Sequence, residues 1–302
     1  MGYYRAGDII KKTREALGIT QEELSDGICA VENLSRMENN HTKIKLETYR
    51  RLMRKMERMP EKVFAIGIGA NMEILEEQYL LERYYAKHEY EAAMKYIEQM
   101  EEKIGKDVIN QQYLRRVKAL CRYRLKQIDA ATVVEELEAA LSLTLKDYES
   151  ALKKQMPLTD QEMQICMNLA YMTFEKGEVQ KSFLLLDLVK EYVDRLPMDR
   201  VRMQAAVYGI YGRMLLMEEE YKEAREYLEQ ALEFAIERND GVLIFTYLEH
   251  LFLIDRVYGC SEEHKIKRVL QLYNIATARQ DKQLVQIVLN YYGEYRQYLD
   301  CE

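Results

Sequence analysis

The sequence predicts an all-α protein: an N-terminal domain of five short helices, then a right-handed α-solenoid built from paired helices. Three observations carry this. Leu, Glu, Lys, Met and Ala abound in a 302-residue chain that holds only three prolines and thirteen glycines, a composition that favours helix almost throughout. No stretch alternates apolar and polar residues for long enough to make a half-buried strand. From Asn71 onward, apolar and small residues return at helical spacing in blocks that resemble one another, as a stack of helix pairs requires.

The length suggests about two domains. The expected division is a head over residues 1–58, a linker over 59–70 and a repeat domain over 71–302. Met59-Pro60 and Ile66-Gly67-Ile68-Gly69 mark the linker, because proline disfavours helix in the residue before it and paired glycines interrupt any pattern that restarts. Val63, Phe64 and Ile66 predict a short fifth helix or a packed linker there. Gly67-x-Gly69 has neither a preceding strand nor a third glycine, so it makes a poor nucleotide cradle.

Within the head, Asp8 to Leu17 reads as the first helix, with Ile9, Ile10, Thr13 and Leu17 inward, Lys11 and Lys12 outward, and Gly18 as its terminating glycine. Thr20 and Glu23 form a capping box that starts the second helix. That helix is short, because Gly27 interrupts it and the chain turns through Ile28 and Cys29 before Val31, Leu34 and Met37 resume at helical spacing. Two short helices joined by a tight apolar turn form a helix-turn-helix, which offers its second helix to the DNA major groove. Leu34 and Met37 are expected in the core and Val31 between core and groove, leaving Glu32, Asn33, Ser35 and Arg36 outward. Arg36 suits guanine or phosphate, Asn33 suits adenine, and Glu32 accepts from cytosine. Gln21, at the first position of the second helix, either holds a phosphate or is simply an exposed helix start. Lys43, in the loop after the recognition helix, is placed to touch the sugar-phosphate backbone. Leu46 to Met56 forms the fourth helix: Leu46, Tyr49, Leu52, Met53 and Met56 close the core, and Arg50, Arg51, Arg54 and Lys55 face solvent.

The run Ile10-x-x-x-Arg14-x-x-x-Gly18-Ile19-Thr20-Gln21-Glu22-Glu23-Leu24, followed by Leu34-Ser35-Arg36-Met37-Glu38-Asn39, resembles the Cro and lambda-repressor (XRE) type of helix-turn-helix domain over residues 5–56. Ser25 stands where that family usually has Ala, and the turn Gly27-Ile28-Cys29-Ala30 is one residue shorter than its commonest form. The shortened turn resembles peptide-pheromone-sensing regulators of the Rgg, PlcR and PrgX type, which carry a C-terminal helical-repeat domain. The resemblance implies a double-stranded DNA operator, a small peptide ligand, a homodimer, and an ion pair between Arg14 and Glu38 that fixes register rather than touching DNA.

The repeats are similar to tetratricopeptide repeats. Tyr208-x-x-Tyr211-Gly212-x-x-Leu215 with Tyr221-x-x-Ala224-x-x-x-Leu228-x-x-Ala231 is the fullest copy. Others run Leu169-Ala170-x-x-Thr173 with Val179, Ser182, Leu186 and Val189, and Leu80-Leu81 with Tyr90, Ala93, Ile97 and Met100. Residues 107–150 keep helical periodicity without the repeat pattern, and helices are expected at 241–258, 262–278 and 281–298. Stacked pairs of this kind form a superhelix whose first helices line a hollow. Asn168 and Arg213 interrupt that lining: an Asn amide suits a peptide main chain, and Arg suits a carboxylate. The resemblance carries the peptide-binding role to Asn168. Tyr171, Phe174, Met214 and Met217 either shape side-chain pockets or belong to the core, and Asn290, Tyr291, Tyr292 and Tyr295 either close the hollow or form a dimer face.

Charge agrees with a head that meets DNA. The total is −7, but residues 1–56 hold eleven Lys or Arg against eight Asp or Glu, a net +3, which leaves −10 for the rest. Nonspecific phosphate attraction is thereby confined to one end. The five cysteines, odd in number and without C-x-x-C spacing, and the four scattered histidines suggest no metal site or cofactor. The absence of a long apolar run or an N-terminal signal core predicts a cytosolic protein without a membrane partner. No nucleophile elbow, phosphate loop or HExxH is present, so no catalytic residue is assigned. Two readings follow: a sequence-specific transcriptional regulator, or a repeat-based protein-interaction adaptor whose head is only structural.

Overall fold

The computed structural model describes residues 6–42, 44–56, 78, 80–85, 87–104, 108–196 and 201–299, and its regular elements are all helical. In the head these are α1 (Ala6–Leu17), α2 (Gln21–Ser25), α3 (Val31–Glu38) and α4 (Leu46–Lys55). The expected fifth helix around Val63, the linker glycines and Lys43 lie outside the described residues, as does the side chain of Leu46. The two halves of the capping box are both made: Glu23 N donates to Thr20 Oγ1 at 3.1 Å, and Thr20 N donates to Glu23 Oε2 at 2.7 Å. Gly18 takes φ +72°, which ends α1 where a side chain would be strained. Ile9, Ile10, Leu24, Leu34, Tyr49, Leu52, Met53 and Met56 form the core of the head.

Two inward assignments are corrected. Leu17 is 45% exposed: Gly18 turns the chain immediately after it, and the contact that Lys154 Nζ makes to Ala16 O at 3.1 Å leaves the leucine side chain open. Met37 is only half-buried. The shortened turn is held from α4: Arg51 Nη2 donates to Gly27 O at 2.5 Å and Lys55 Nζ to Asp26 O at 2.7 Å. Those two cations, expected only to face solvent, satisfy carbonyls that the turn leaves without a partner.

The chain divides into two compact units, residues 1–199 and 200–302. Beyond the head, the first contains α5 (Tyr90–Ile104), α6 (Val108–Arg124), α7 (Ala130–Ser142), α8 (Tyr148–Lys153), α9 (Asp160–Glu175) and α10 (Val179–Asp194). The second contains α11 (Val201–Met217), α12 (Tyr221–Glu237), α13 (Gly241–Val257), α14 (Glu262–Ala278) and α15 (Lys282–Tyr291), then a 3₁₀ turn over Gly293–Tyr298. The helix expected over 281–298 is therefore broken at Tyr292, just before Gly293, whose backbone freedom weakens a helix.

Helix pairs dock through the small residues of the repeat pattern. A Cβ on Gly212 would stand 2.6 Å from Leu228 Cγ, and one on Gly209 would stand 2.3 Å from the Tyr247 ring. Tyr247 thus lies directly against α11, where its hydroxyl donates to Ala205 O at 2.7 Å. Ala224, Leu228 and Ala231 are fully buried on α12, as are Ser182, Leu186 and Val189 on α10. Tyr292 and Tyr295 pack edge-on against Phe252 at 4.8 and 6.0 Å between ring centres. These two tyrosines are core, not a free face, because the break at Tyr292 folds the chain end back onto α13.

Two outcomes test this packing. Gly209→Ala is expected to lower stability by about 1–2 kcal/mol in urea denaturation, since the added methyl has no room beside a rigid ring and the gain in helix propensity offsets only part of that. On α13, burial pushes the Glu249 carboxyl up from 4.5 to about 7. Its cost is absent below the unfolded value and grows as pH rises towards 7, so Glu249→Gln is expected to stabilise the chain by about 1 kcal/mol or more at pH 8 and to change little at pH 4. Neighbouring His250 acts oppositely: burial, then the Arg213 charge, lowers it to about 4, so it destabilises the fold as pH falls below 6.5.

Candidate nucleic-acid interface

The recognition helix α3 is set by a buried charge cluster. Glu38, at its last position, has no side-chain exposure and accepts three hydrogen bonds: from Arg14 Nε at 2.6 Å, from Arg14 Nη2 at 2.9 Å and from Gln21 Nε2 at 2.6 Å. Arg14 also donates from Nη1 to Ile19 O at 3.0 Å. The bidentate geometry matches a planar guanidinium to a planar carboxylate and ties α1, α2 and α3 into one body. The hydrogen bond to Glu38 raises the Arg14 pKa further, against the opposing effect of burial. Gln21 is thus turned toward Glu38 by its amide nitrogen rather than standing open at the start of α2, a role that its sequence position does not reveal.

A second clasp was not anticipated. Asn40, in the left-handed region at φ 57°, accepts from Gly7 N at 3.2 Å and donates to Asp8 Oδ1 at 2.8 Å. Gly7 is required there, since a Cβ would stand 2.0 Å from Met37 O. The start of α1 is thereby pinned to the end of α3.

With those contacts made, α3 presents Glu32, Asn33 and Arg36 exposed, while Val31 and Ser35 are half-buried and Leu34 is fully buried. Residues 32, 33 and 36 lie within one face of a helix, opposite the side that Leu34 and Glu38 fix. Cys29 in the turn is half-buried, and burial raises its thiol pKa against the lowering effect of the Arg51 charge.

The residues assigned to a ligand fall into both compact units. On α9, Asn168 is half-buried and its Oδ1 is sealed from solvent with no hydrogen-bond partner among the described residues. Tyr171, on the same helix, is buried and its hydroxyl is bonded to Glu175. Phe174 packs edge-on with Phe183 at 6.2 Å between ring centres. On α11, Arg213 is half-buried, Met217 is 48% exposed, and Met214 is fully buried and therefore core. On α15, Asn290 and Tyr291 are exposed, Tyr291 at 78%. Among the described residues, no helix is long and apolar enough to cross a membrane.

These features define a helix-turn-helix DNA-binding protein of the regulator type, with a body of paired helices. A helix-turn-helix family model matches residues 10–58, and the model of the RNPP family C-terminal domain matches residues 78–263. The second match covers more than half of the chain, which belongs to the RNPP family. Among solved structures, Bacillus thuringiensis PlcR in complex with the peptide PapR7 and DNA is similar at 17% identity, over 98% of this chain and 99% of that one, with a TM-score of 0.59. Its apo form is similar at 17% identity over 94% and 98% of the two chains, with a TM-score of 0.58. Apo ComR from S. thermophilus aligns over 97% and 98% at 11% identity, with a TM-score of 0.47. A search of curated proteins finds no significant match.

Breaking the cluster tests its structural weight. Glu38→Ala is expected to cost the head about 3 kcal/mol, because it leaves the Arg14 charge buried without its partner. The Arg14→Ala, Glu38→Ala double variant is expected to lose much less than the sum of the single losses, read by denaturation of the full chain.

Proposed function

We propose that this chain is a sequence-specific transcriptional regulator that binds its operator as a homodimer and responds to a small peptide held by its helical repeats. The observation that carries the DNA-binding part is the exposure of Glu32, Asn33 and Arg36 together on a helix whose other side is locked by Arg14 and Glu38. Arg36 reads guanine or contacts phosphate, Asn33 reads adenine, and Glu32 selects cytosine. Val31 and Ser35 flank them against thymine methyls and sugar. Gln21, bonded to Glu38 by its amide nitrogen, keeps its carbonyl oxygen for accepting, so it supports the helix more than it holds phosphate. Lys43 keeps its assigned role as a backbone contact. In a homodimer, two such helices reach successive major grooves about 34 Å apart, which makes the operator pseudopalindromic.

Support for peptide sensing comes from membership of the RNPP family and from Asn168, whose buried Oδ1 has no hydrogen-bond partner among the described residues. A sealed carbonyl oxygen left unpaired costs about 1–3 kcal/mol, which a main-chain N–H of a bound peptide recovers. Tyr171 follows that position on α9. In the other compact unit, considered by itself, Arg213 and Met217 on α11 are the candidates for a ligand, as a cation and an apolar side chain. Peptide acts by binding one arrangement of the two heads better than the other.

Fluorescence anisotropy with DNA from upstream of the gene tests the first part. Arg36→Ala and Asn33→Ala are each expected to weaken binding by about 5- to 150-fold while leaving the melting temperature unchanged. Wild-type affinity in both variants would show the head to be only structural. For the second part, short peptides encoded beside the gene are added to the same assay. Asn168→Ala is expected to abolish their effect on operator affinity without altering affinity in their absence, and no effect of any such peptide on the wild type removes the sensing role alone.

A further inference from the structure

The end of α6, the turn after it and the start of α7 border a shallow, open depression of about 680 Å³ lined by Tyr123, Arg124, Lys126, Ile128 and Asp129. Arg124 is exposed there, hydrogen-bonds with Tyr85, and lies within electrostatic reach of the Tyr90 and Tyr171 hydroxyls. Among the described residues no carboxylate forms an ion pair with it. The acidic groups around it are engaged elsewhere. Glu175 accepts from the Tyr123 hydroxyl at 2.9 Å and from the Tyr171 hydroxyl, while Asp129 accepts from Thr132 N at 2.9 Å and Thr132 Oγ1 at 2.7 Å as the cap of α7. The depression therefore joins two cations, Arg124 and Lys126, to the Tyr123 ring and an isoleucine, while Asp129 and Glu175 keep their charges but turn their oxygens to Thr132, Tyr123 and Tyr171 rather than to Arg124.

This combination selects an anion with an apolar group beside it. A guanidinium with free donors binds a carboxylate through paired charge-assisted hydrogen bonds, and tyrosine rings offer apolar faces to the neighbouring side chain. The depression is tied to the peptide reading through α9. Tyr171 lies one turn beyond Asn168, and both Tyr171 and Glu175 reach the end of α6.

We propose that this depression is an anion subsite, in which Arg124 with Lys126 takes a carboxylate of the ligand, and Tyr123 and Ile128 take the apolar side chain next to it. The carboxylate comes from a peptide C-terminus or from an acidic side chain. The subsite rests on the peptide-sensing reading, and it adds the charge that the ligand must carry and the residue that recognises it.

Tyrosine-ring ¹³C NMR on the full chain tests this, with the Tyr123 signal assigned through Tyr123→Phe. The probes are N-acetyl-leucine, its amide, and the α-amide of N-acetyl-aspartate. Expected are a saturable shift at Tyr123 with a carboxylate probe and binding about tenfold weaker for the leucine amide. Arg124→Gln is expected to lose the shift at an unchanged melting temperature, and Lys126→Gln to weaken it. A response to N-acetyl-leucine assigns the peptide terminus; a response confined to the aspartate probe assigns an acidic side chain. Equal response to the amide, or wild-type binding by Arg124→Gln, overturns the subsite. Asn168→Ala is expected to leave probe binding intact. Failure of the probes in a chain that still responds to peptide therefore removes only the subsite, and probe binding in a chain deaf to peptide removes only the sensing role.

Discussion

A carboxylate sealed from water organises the head. Glu38 ends the recognition helix inside the protein, and it is tolerable there only because Arg14 and Gln21 together give it three hydrogen bonds. An unpaired charge at that depth is strongly destabilising, so α1, α2 and α3 have to meet in one arrangement. That arrangement decides which face of α3 looks outward. The exposure of Asn33 and Arg36 is thus a consequence of where Glu38 is buried, and Asn40 and Gly7 hold the same register from the other end of α1.

The body obeys a different constraint. No helix pair can bury its apolar face alone, so neighbours must approach closely, and close approach is possible only where side chains are small. Gly209 and Gly212 mark two such places on α11, facing Tyr247 and Leu228. Contacts this tight fix the register between successive helices. In the first compact unit, the hydroxyls of Tyr123 and Tyr171 converge on Glu175 and so join α6 to α9, the helix that also carries Asn168.

Much of this was legible in one dimension because the signals are local or periodic. A capping box is a spacing, a terminating glycine is a single residue, and Ala224, Leu228 and Ala231 fall where their period puts them in the core. What escaped were contacts set by chain reversal. Periodicity alone put Leu17 inward, but helix ends carry no information on whether anything covers them. Tyr292 and Tyr295 looked like a free aromatic face because a helix was extended through Gly293, whereas the break there turns both onto Phe252. Arg51 and Lys55 are exposed as their spacing predicts, but nothing nearby in sequence shows that the shortened turn leaves carbonyls for them.

By itself the sequence determined the helical class, the placement of the helix-turn-helix and the repeated pairing, because hydrophobic period and capping chemistry act over a few residues. Only the tertiary structure decided which polar groups are spent on holding the fold and which stay available. Gln21 is turned to Glu38 and Tyr171 to Glu175, while Arg36 and Arg124 remain exposed. The physical reason is that a hydrogen bond between residues far apart in sequence depends on the relative placement of whole helices, and no local pattern encodes that.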